Sequence, residues 1–222
     1  MYLLVTSRKG ISSMQLSKEI GITQKSAWFV LQRLREACGN DLTVLRGIVE
    51  VDETYIGGKE RNKHGSKKLR AGRGTVGKAA VVGMRERGGR TKAKPVAAAD
   101  TRNLHTAIFE NVETGSMIHT DEHAGYHGVG GMFYGHKAIN HSAGVYSRDG
   151  VSTNSIESVW AVMKRGLHGV YHHASDKHLA RYVNEFTFRL NDGNVERHTL
   201  DRLDSLVDAT AGRRITYREL TT

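Results

Sequence analysis

The stretch "GIVEVDETYIGG", residues 47–58, decides how the chain is read. Ile48, Val49, Val51, Tyr55 and Ile56 give it the β-branched and aromatic content of a strand. Yet Glu50, Asp52 and Glu53 place three carboxylates in it, inside a chain whose formal net charge is +10. Negative charge in a strand that expects burial needs a purpose, and metal binding at the strand end is one. The bland alternatives are an exposed strand-end Asp52, or a role carried by Glu50 or Glu53 instead.

Downstream, residues 59–78 bring Lys59, Arg61, Lys63, Lys67, Lys68, Arg70, Arg73 and Lys78 among glycines. This reads as a basic loop suited to gripping a phosphate backbone, with a plain solvated loop as the alternative. "GKAAVVGMRER" (77–87) predicts a second strand and Gly88-Gly89 a hairpin turn. "TKAKPVAAAD" (91–100) predicts a third, with Pro95 confining it to an edge or a bulge. A helix is expected over 103–112 through Leu104, Ile108 and Val112. Strands are expected over 115–126, running out into Asp121, and over 137–147. From Thr153 the period becomes helical. Ile156, Val159, Trp160, Met163 and Leu167 form one stripe, and Leu179, Tyr182, Val183, Phe186 and Leu190 a second. A last helix passes through Leu200, Leu203 and Leu206. The whole predicts an α/β fold, a mixed sheet with helices packed on it.

Upstream, residues 12–38 carry the layout of a helix-turn-helix. Leu16 and Ile20 share a face of the first helix, Gly21 makes the turn, and Thr23 caps the second helix. Ala27, Val30, Leu31 and Leu34 form the inner face, with small Ser17 at the crossing. Gln24, Lys25, Trp28 and Arg33 are expected to face outward, toward phosphates and base edges. An ordinary two-helix hairpin is the alternative. The domains are accordingly placed at 1–45 (helix-turn-helix), 46–195 (catalytic) and 196–222 (helical tail).

The composition, 38% hydrophobic and 25% charged, is that of a globular chain, and the basic balance points to a polyanion such as nucleic acid. No run is long enough to span a membrane, and the first residues lack the features of a signal peptide. The one cysteine, Cys38, excludes an internal disulfide and a Cys-based zinc site and suits a reducing cytosol.

Three acids fall at element ends or edges: Asp52, Asp121 and Glu157. Converging, they would repel one another and their pKa values would climb, a conflict that Mg²⁺ relieves while meeting phosphate oxygens. Two such ions, about 3.5–4 Å apart, would clamp an in-line phosphodiester displacement. Taken singly, Asp121 also reads as a turn cap, and Asn154 with Glu157 as a capping box. Lys164, two turns after Glu157, is in line with it. Histidines 119, 123 and 127 have a four-and-four spacing that admits zinc, but the strand ending at Asp121 argues against one helical face.

With "VEVDETYIGGK", "HTDEHAGY", "INHS", "TNSIESVWAVMKRGLHGVYHH" and "HLARYVNEFTFRLN" in view, the chain resembles a DDE transposase of a bacterial insertion sequence (the ISXO-type subgroup). The 35 residues between Asp121 and Glu157 (122–156) are a spacing such enzymes often show. The resemblance implies a ribonuclease H-like catalytic domain behind the helix-turn-helix, and Asp52, Asp121 and Glu157 as a triad that binds metal. It implies Mg²⁺, with Mn²⁺ able to substitute, and double-stranded DNA as partner: terminal inverted repeats and target. Lys164 would contact the transposon end. The DNA-binding set is completed by Arg165, Lys67, Lys68 and Arg70. A homo-oligomeric synaptic complex and a cytoplasmic, nucleoid-associated location are also implied. Asn154, His141 and Tyr126 match common positions of unassigned role. Such proteins commonly carry a zinc ribbon ahead of the helix-turn-helix; lacking cysteine pairs, this chain reads as a truncated copy, an internal start or a ribbonless variant. Two rivals to the transposase reading are a structure-specific nuclease with the same acids and a non-catalytic helix-turn-helix regulator.

Overall fold

The computed structural model describes residues 1–39, 41–58, 60–69, 74–140, 147–148, 150–212 and 214–221. In chain order the elements are α1 (Tyr2–Thr6), α2 (Ser13–Ile20), α3 (Gln24–Cys38), β1 (Ile48–Ile56), β2 (Ala79–Glu86), β3 (Thr91–Val96) and α4 (Thr101–Asn111). Then follow β4 (Met117–Asp121), β5 (Gly135–Ile139), β6 (Ser147–Arg148), β7 (Val151–Ser152), α5 (Asn154–Gly166), α6 (Asp176–Leu190), α7 (Thr199–Thr210) and α8 (Tyr217–Thr221). Contacts group them into two units: residues 43–161, and residues 1–42 together with 162–222. This grouping joins the N-terminal and C-terminal helices, whereas the sequence reading divided the chain in order at 45 and 195.

The unit 43–161 is built on a five-stranded sheet in the order β3-β2-β1-β4-β5. β1 pairs antiparallel with β2 and parallel with β4, β2 antiparallel with β3, and β4 parallel with β5. This is the mixed α/β, ribonuclease H-like sheet that the resemblance implied. Pro95 lies on the edge strand β3, as expected of a residue without an N–H. Gly88 takes the left-handed conformation (φ 74°) in the β2–β3 turn. Alternation along the strands sends Val49 and Val51 to one face, where they join Val82, Met84, Leu104, Ala107, Ile108, Ile118 and Tyr126 in a buried core. Leu104, Ala107 and Ile108 come from α4, which Asp100 caps by accepting from the Asn103 amide.

The third strand is shorter than expected, stopping at Val96 rather than Asp100, whereas β4 ends at Asp121 as expected, before the chain turns through a 3-10 segment, Ala124–Tyr126. Of the short strand or pair of strands expected over 137–147, β5 runs to Ile139 and β6 begins at Ser147; residues 141–146 lie outside the described residues. In the basic stretch 59–78, short 3-10 turns occupy Glu60–Asn62 and Gly65–Lys67, while Lys59, Arg70 and Arg73 lie outside the described residues.

In the other unit, α2 and α3 form the expected helix-turn-helix. Gly21 is left-handed (φ 67°), Thr23 caps α3 by accepting from the Ser26 amide at 3.1 Å, and Ser17 is buried. Leu16, Ala27, Leu31 and Leu34 are buried with Leu4, Val5, Ile11, Phe188 and Leu206. Ile20 and Val30 depart from the expected inner face, being 49% and 38% exposed. Ile20 ends its helix, and Val30 falls to one side of the stripe formed by Ala27, Leu31 and Leu34, so helical spacing alone over-assigned them.

A buried charge cluster ties α3 to α6. Arg35 Nε is 2.6 Å from Glu185 Oε2, Arg189 reaches the other carboxylate oxygen, and Tyr171 Oη donates to it at 2.6 Å. Burial alone would raise the Glu185 carboxyl, but the Arg35 and Arg189 guanidiniums and the Tyr171 bond override it and hold the group down at about 2. The Arg35 guanidinium also stacks on Tyr182, 4.1 Å from the ring centroid. Among the described residues, no helix is long and apolar enough to cross a membrane.

Candidate active site

The same alternation that buries Val49 and Val51 sends Glu50 and Asp52 to the opposite face of β1. Register then adds to that face. Glu50 pairs with His119, and Asp121 is two residues beyond His119 on β4; Asp52 pairs with Gly83 on β2. Glu50, Asp52, His119 and Asp121 therefore share one face of the neighbouring strands β1 and β4, with Gly83 of β2 beside Asp52. The first part of α5 lies on this face.

Two contacts hold α5 there. Trp160 Nε1 donates to Asp52 Oδ2 at 2.8 Å. Its six-membered ring rests on Gly83: a Cβ at that position would meet Trp160 Cη2 at 2.4 Å. At the start of the helix, Glu50 Oε2 accepts from the Ser155 amide at 2.9 Å, from Ser155 Oγ at 2.5 Å and from the Ile156 amide at 3.4 Å. The other Glu50 oxygen takes Arg87 Nη2 at 3.0 Å and Nε at 3.3 Å. Glu50 is 2% exposed, so this carboxylate is fully satisfied inside the protein rather than offered to a ligand.

Asp52 is the perturbed acid. Burial, then the charges of Glu53 and Asp121, push its carboxyl up to about 7 against the lowering effect of the Trp160 bond. Asp121 is within electrostatic reach of Asp52, and its Oδ1 accepts the His123 amide at 3.0 Å. Glu53 points to the α4 face, where Tyr126 Oη donates to it at 2.7 Å and His123 Nε2 lies 3.8 Å away. Burial and then Glu53 push the Tyr126 phenol well above its ordinary value. Glu157 is exposed in the first turn of α5, three residues before Trp160, and accepts from Thr153 Oγ1 at 3.1 Å. The Asn154 amide is taken by Ser152 Oγ at 3.0 Å.

Of the expected triad, then, Asp52 and Asp121 are brought together, and Glu157 sits on the helix that Asp52 grips. Among the described residues, no three His, Cys, Asp or Glu side chains are placed as a finished metal cage. The donors at hand nevertheless fit a hard divalent cation. They are carboxylate oxygens, and Asp52 carries the electrostatic cost of neighbouring anions that such a cation offsets. The spaced histidines separate. His119 is buried beside Arg87 (Nδ1 to Nη2 3.4 Å), His123 faces Glu53, and His127 is exposed.

The expected DNA-binding residues lie elsewhere. Gln24, Lys25 and Arg33 are exposed on α3. Gln24 bonds Ser13 at 2.9 Å, and Lys25 and Arg33 lie over the Tyr217 and Phe29 rings. Trp28 is half-buried edge-on against His178 rather than presented outward. Lys68 is exposed. The Lys67 side chain and Arg70, like His141, lie outside the described residues. Lys164 and Arg165 occupy the last turn of α5, past residue 161 where the sheet unit ends. Sequence reasoning missed Glu50 as a helix anchor and Trp160 as a partner of Asp52. Period-two alternation from Asp52 was the available signal for the first; for the second there was none.

A mixed five-stranded sheet of this order with flanking helices is a ribonuclease H-like α/β fold. The family model for the ISXO2-like transposase domain matches residues 44–191, and the chain belongs to that family, the DDE transposases of insertion sequences. Comparison with curated proteins finds no match. A transposase acts on DNA, which accounts for the basic balance of the chain.

Proposed function

We propose that this transposase binds transposon ends, cleaves at their 3′ ends and joins them to target DNA, with Asp52, Asp121 and Glu157 as the acids that hold Mg²⁺. The observation that carries the reading is the Asp52 contact set. Asp52 bonds the helix that bears Glu157, and Asp121 lies close enough for its charge to push the Asp52 carboxyl up.

When bound, the divalent cation supplies positive charge at the scissile phosphate and stabilises both the entering and the leaving oxygen. The protein contributes position. In this reading β1 and β4 carry two of the carboxylates on one sheet face, and α5, bonded to Asp52 through Trp160, carries the third. In the first step a water oxygen forms the new P–O bond, the bond to the 3′ oxygen breaks, and a free 3′-hydroxyl remains. In the second, that hydroxyl attacks a target phosphodiester, so one bond forms as one breaks and no covalent protein–DNA species arises. No serine or tyrosine nucleophile is required. Gln24, Lys25, Trp28 and Arg33 on α3, with Lys67, Lys68, Arg70, Lys164 and Arg165, supply the DNA contacts in this reading, and several copies assemble on paired ends.

Labelled end-sequence duplexes incubated with the protein, Mg²⁺ and a target plasmid test it. Cleaved and joined products are expected from the wild type, and neither product from Asp52→Asn, Asp121→Asn or Glu157→Gln. Cutting without joining would favour the nuclease, and binding without cutting the regulator.

A further inference from the structure

The triad depends on α5 lying at one height along β1, and nothing in the family match or in the three acids themselves says what sets that height. We infer that Glu50 and Trp160 are positioning residues that lock α5 to β1 at two points and thereby fix Glu157 relative to Asp52. The inference rests on the reading of the triad given above.

The geometry supports two-point locking. Glu50 and Asp52 are alternate residues on one strand face, about 6.7 Å apart along the strand. Their helix partners, Ser155 and Trp160, are five residues apart, about 7.5 Å along the helix axis. Both bonds are present together, in one setting of the helix. A slip by one residue along the helix would carry the Trp160 indole about 100° around the helix axis, away from Asp52. Glu157 lies between the two anchors, two residues after the first and three before the second.

The anchor chemistry is also distinct from ordinary capping. The α5 amides of Ser155 and Ile156 are taken by a buried carboxylate from a neighbouring strand, where charge, helix dipole and hydrogen bonding act together. Arg87 neutralises that carboxylate and is itself held, through Nη1, to the Gly150 carbonyl at 2.8 Å, in the chain just before α5. Thus the segment leading into the helix, the first helical turn and strand β1 meet at one side chain. At the second point Trp160 bonds Asp52, and Gly83 leaves the space that its six-membered ring occupies against β2.

The test measures Mn²⁺ affinity of the full chain without DNA, by electron paramagnetic resonance of the free ion, alongside thermal melting. Glu50→Gln keeps the shape of the side chain and removes its charge; Trp160→Phe keeps the ring and removes the N–H. Each is expected to weaken Mn²⁺ binding roughly 10–100-fold, the range for partners that orient metal ligands. Asp52→Asn is the control. If it abolishes binding while folded Glu50→Gln and Trp160→Phe bind like the wild type, the positioning inference is overturned and the triad stands. If Asp52→Asn also binds normally, the triad reading itself fails and takes this inference with it. Should Glu50→Gln fail to fold, Ser155→Ala, which removes only one of the bonds to Glu50, replaces it: weaker binding is expected, and unchanged binding overturns the inference.

Discussion

Trp160 and Asp52, 108 residues apart in the chain, are joined by an indole N–H to carboxylate bond of 2.8 Å. That bond links the strand carrying the first acid to the helix carrying the third. It also makes the space under the indole a structural requirement.

Gly83 provides that space. A methyl at this position would sit 2.4 Å from Trp160 Cη2 and 2.9 Å from Ile156 Cδ1. Gly83→Ala is expected to lower stability by about 1–3 kcal/mol, the cost of overpacking, and to shift the near-ultraviolet signal of Trp160. Chemical denaturation and circular dichroism check both; wild-type values would show that the ring does not depend on the glycine.

Asp52 has its pKa raised above the unfolded value, so between about pH 4 and pH 7 the folded state holds a proton that the unfolded state has lost. Metal-free stability should therefore fall as pH rises through that window. Asp52→Asn, which keeps an acceptor for Trp160, should stabilise the metal-free protein at pH 8 by on the order of 1–3 kcal/mol and change little at pH 4. Melting at the two pH values, with chelator present, decides it.

Glu185 has the opposite sign. Its pKa is held down at about 2, so its contribution is complete above the ordinary carboxylate range and is lost as pH falls toward 2. Glu185→Gln should abolish this acid dependence. Glu185→Ala, which strands Arg35 and Arg189 in the interior, should cost about 3–5 kcal/mol at pH 7. Urea titrations of the three proteins across pH 3–7 measure both effects.

Thr23 caps α3 through the Ser26 amide. Thr23→Ala should cost about 1 kcal/mol and, in the proposed reading, weaken end binding more than it weakens metal binding. Electrophoretic mobility shifts with end-sequence duplexes measure the first, and Mn²⁺ titration the second.

What the sequence discloses here follows from how local each cause is. Gly21 and Thr23 announce a turn and a cap because φ and capping are decided within a few residues. Pro95 announces an edge strand because its own missing N–H enforces it. The acids of β1 and β4 stand out as charge where a strand expects burial. Partners set by tertiary register are silent. Arg35 and Glu185 are 150 residues apart, and no period links them, so the joining of the first and last helices could not be read. Trp160 looked like one more member of an apolar stripe, and most of its surface is just that; only the placement of Asp52 beneath it gives its N–H a task. Glu50 reads as a rival to Asp52 until the helix start above it is seen.

The central claim is that Asp52, Asp121 and Glu157 together hold divalent ions. Anomalous diffraction from crystals of the protein with end DNA and Mn²⁺ tests it most directly. The account predicts an anomalous peak roughly 2.1 Å from carboxylate oxygens of Asp52 and Asp121, with Glu157 turned toward the same site. Ordered Mn²⁺ bound only elsewhere, with these three carboxylates uninvolved, would contradict it.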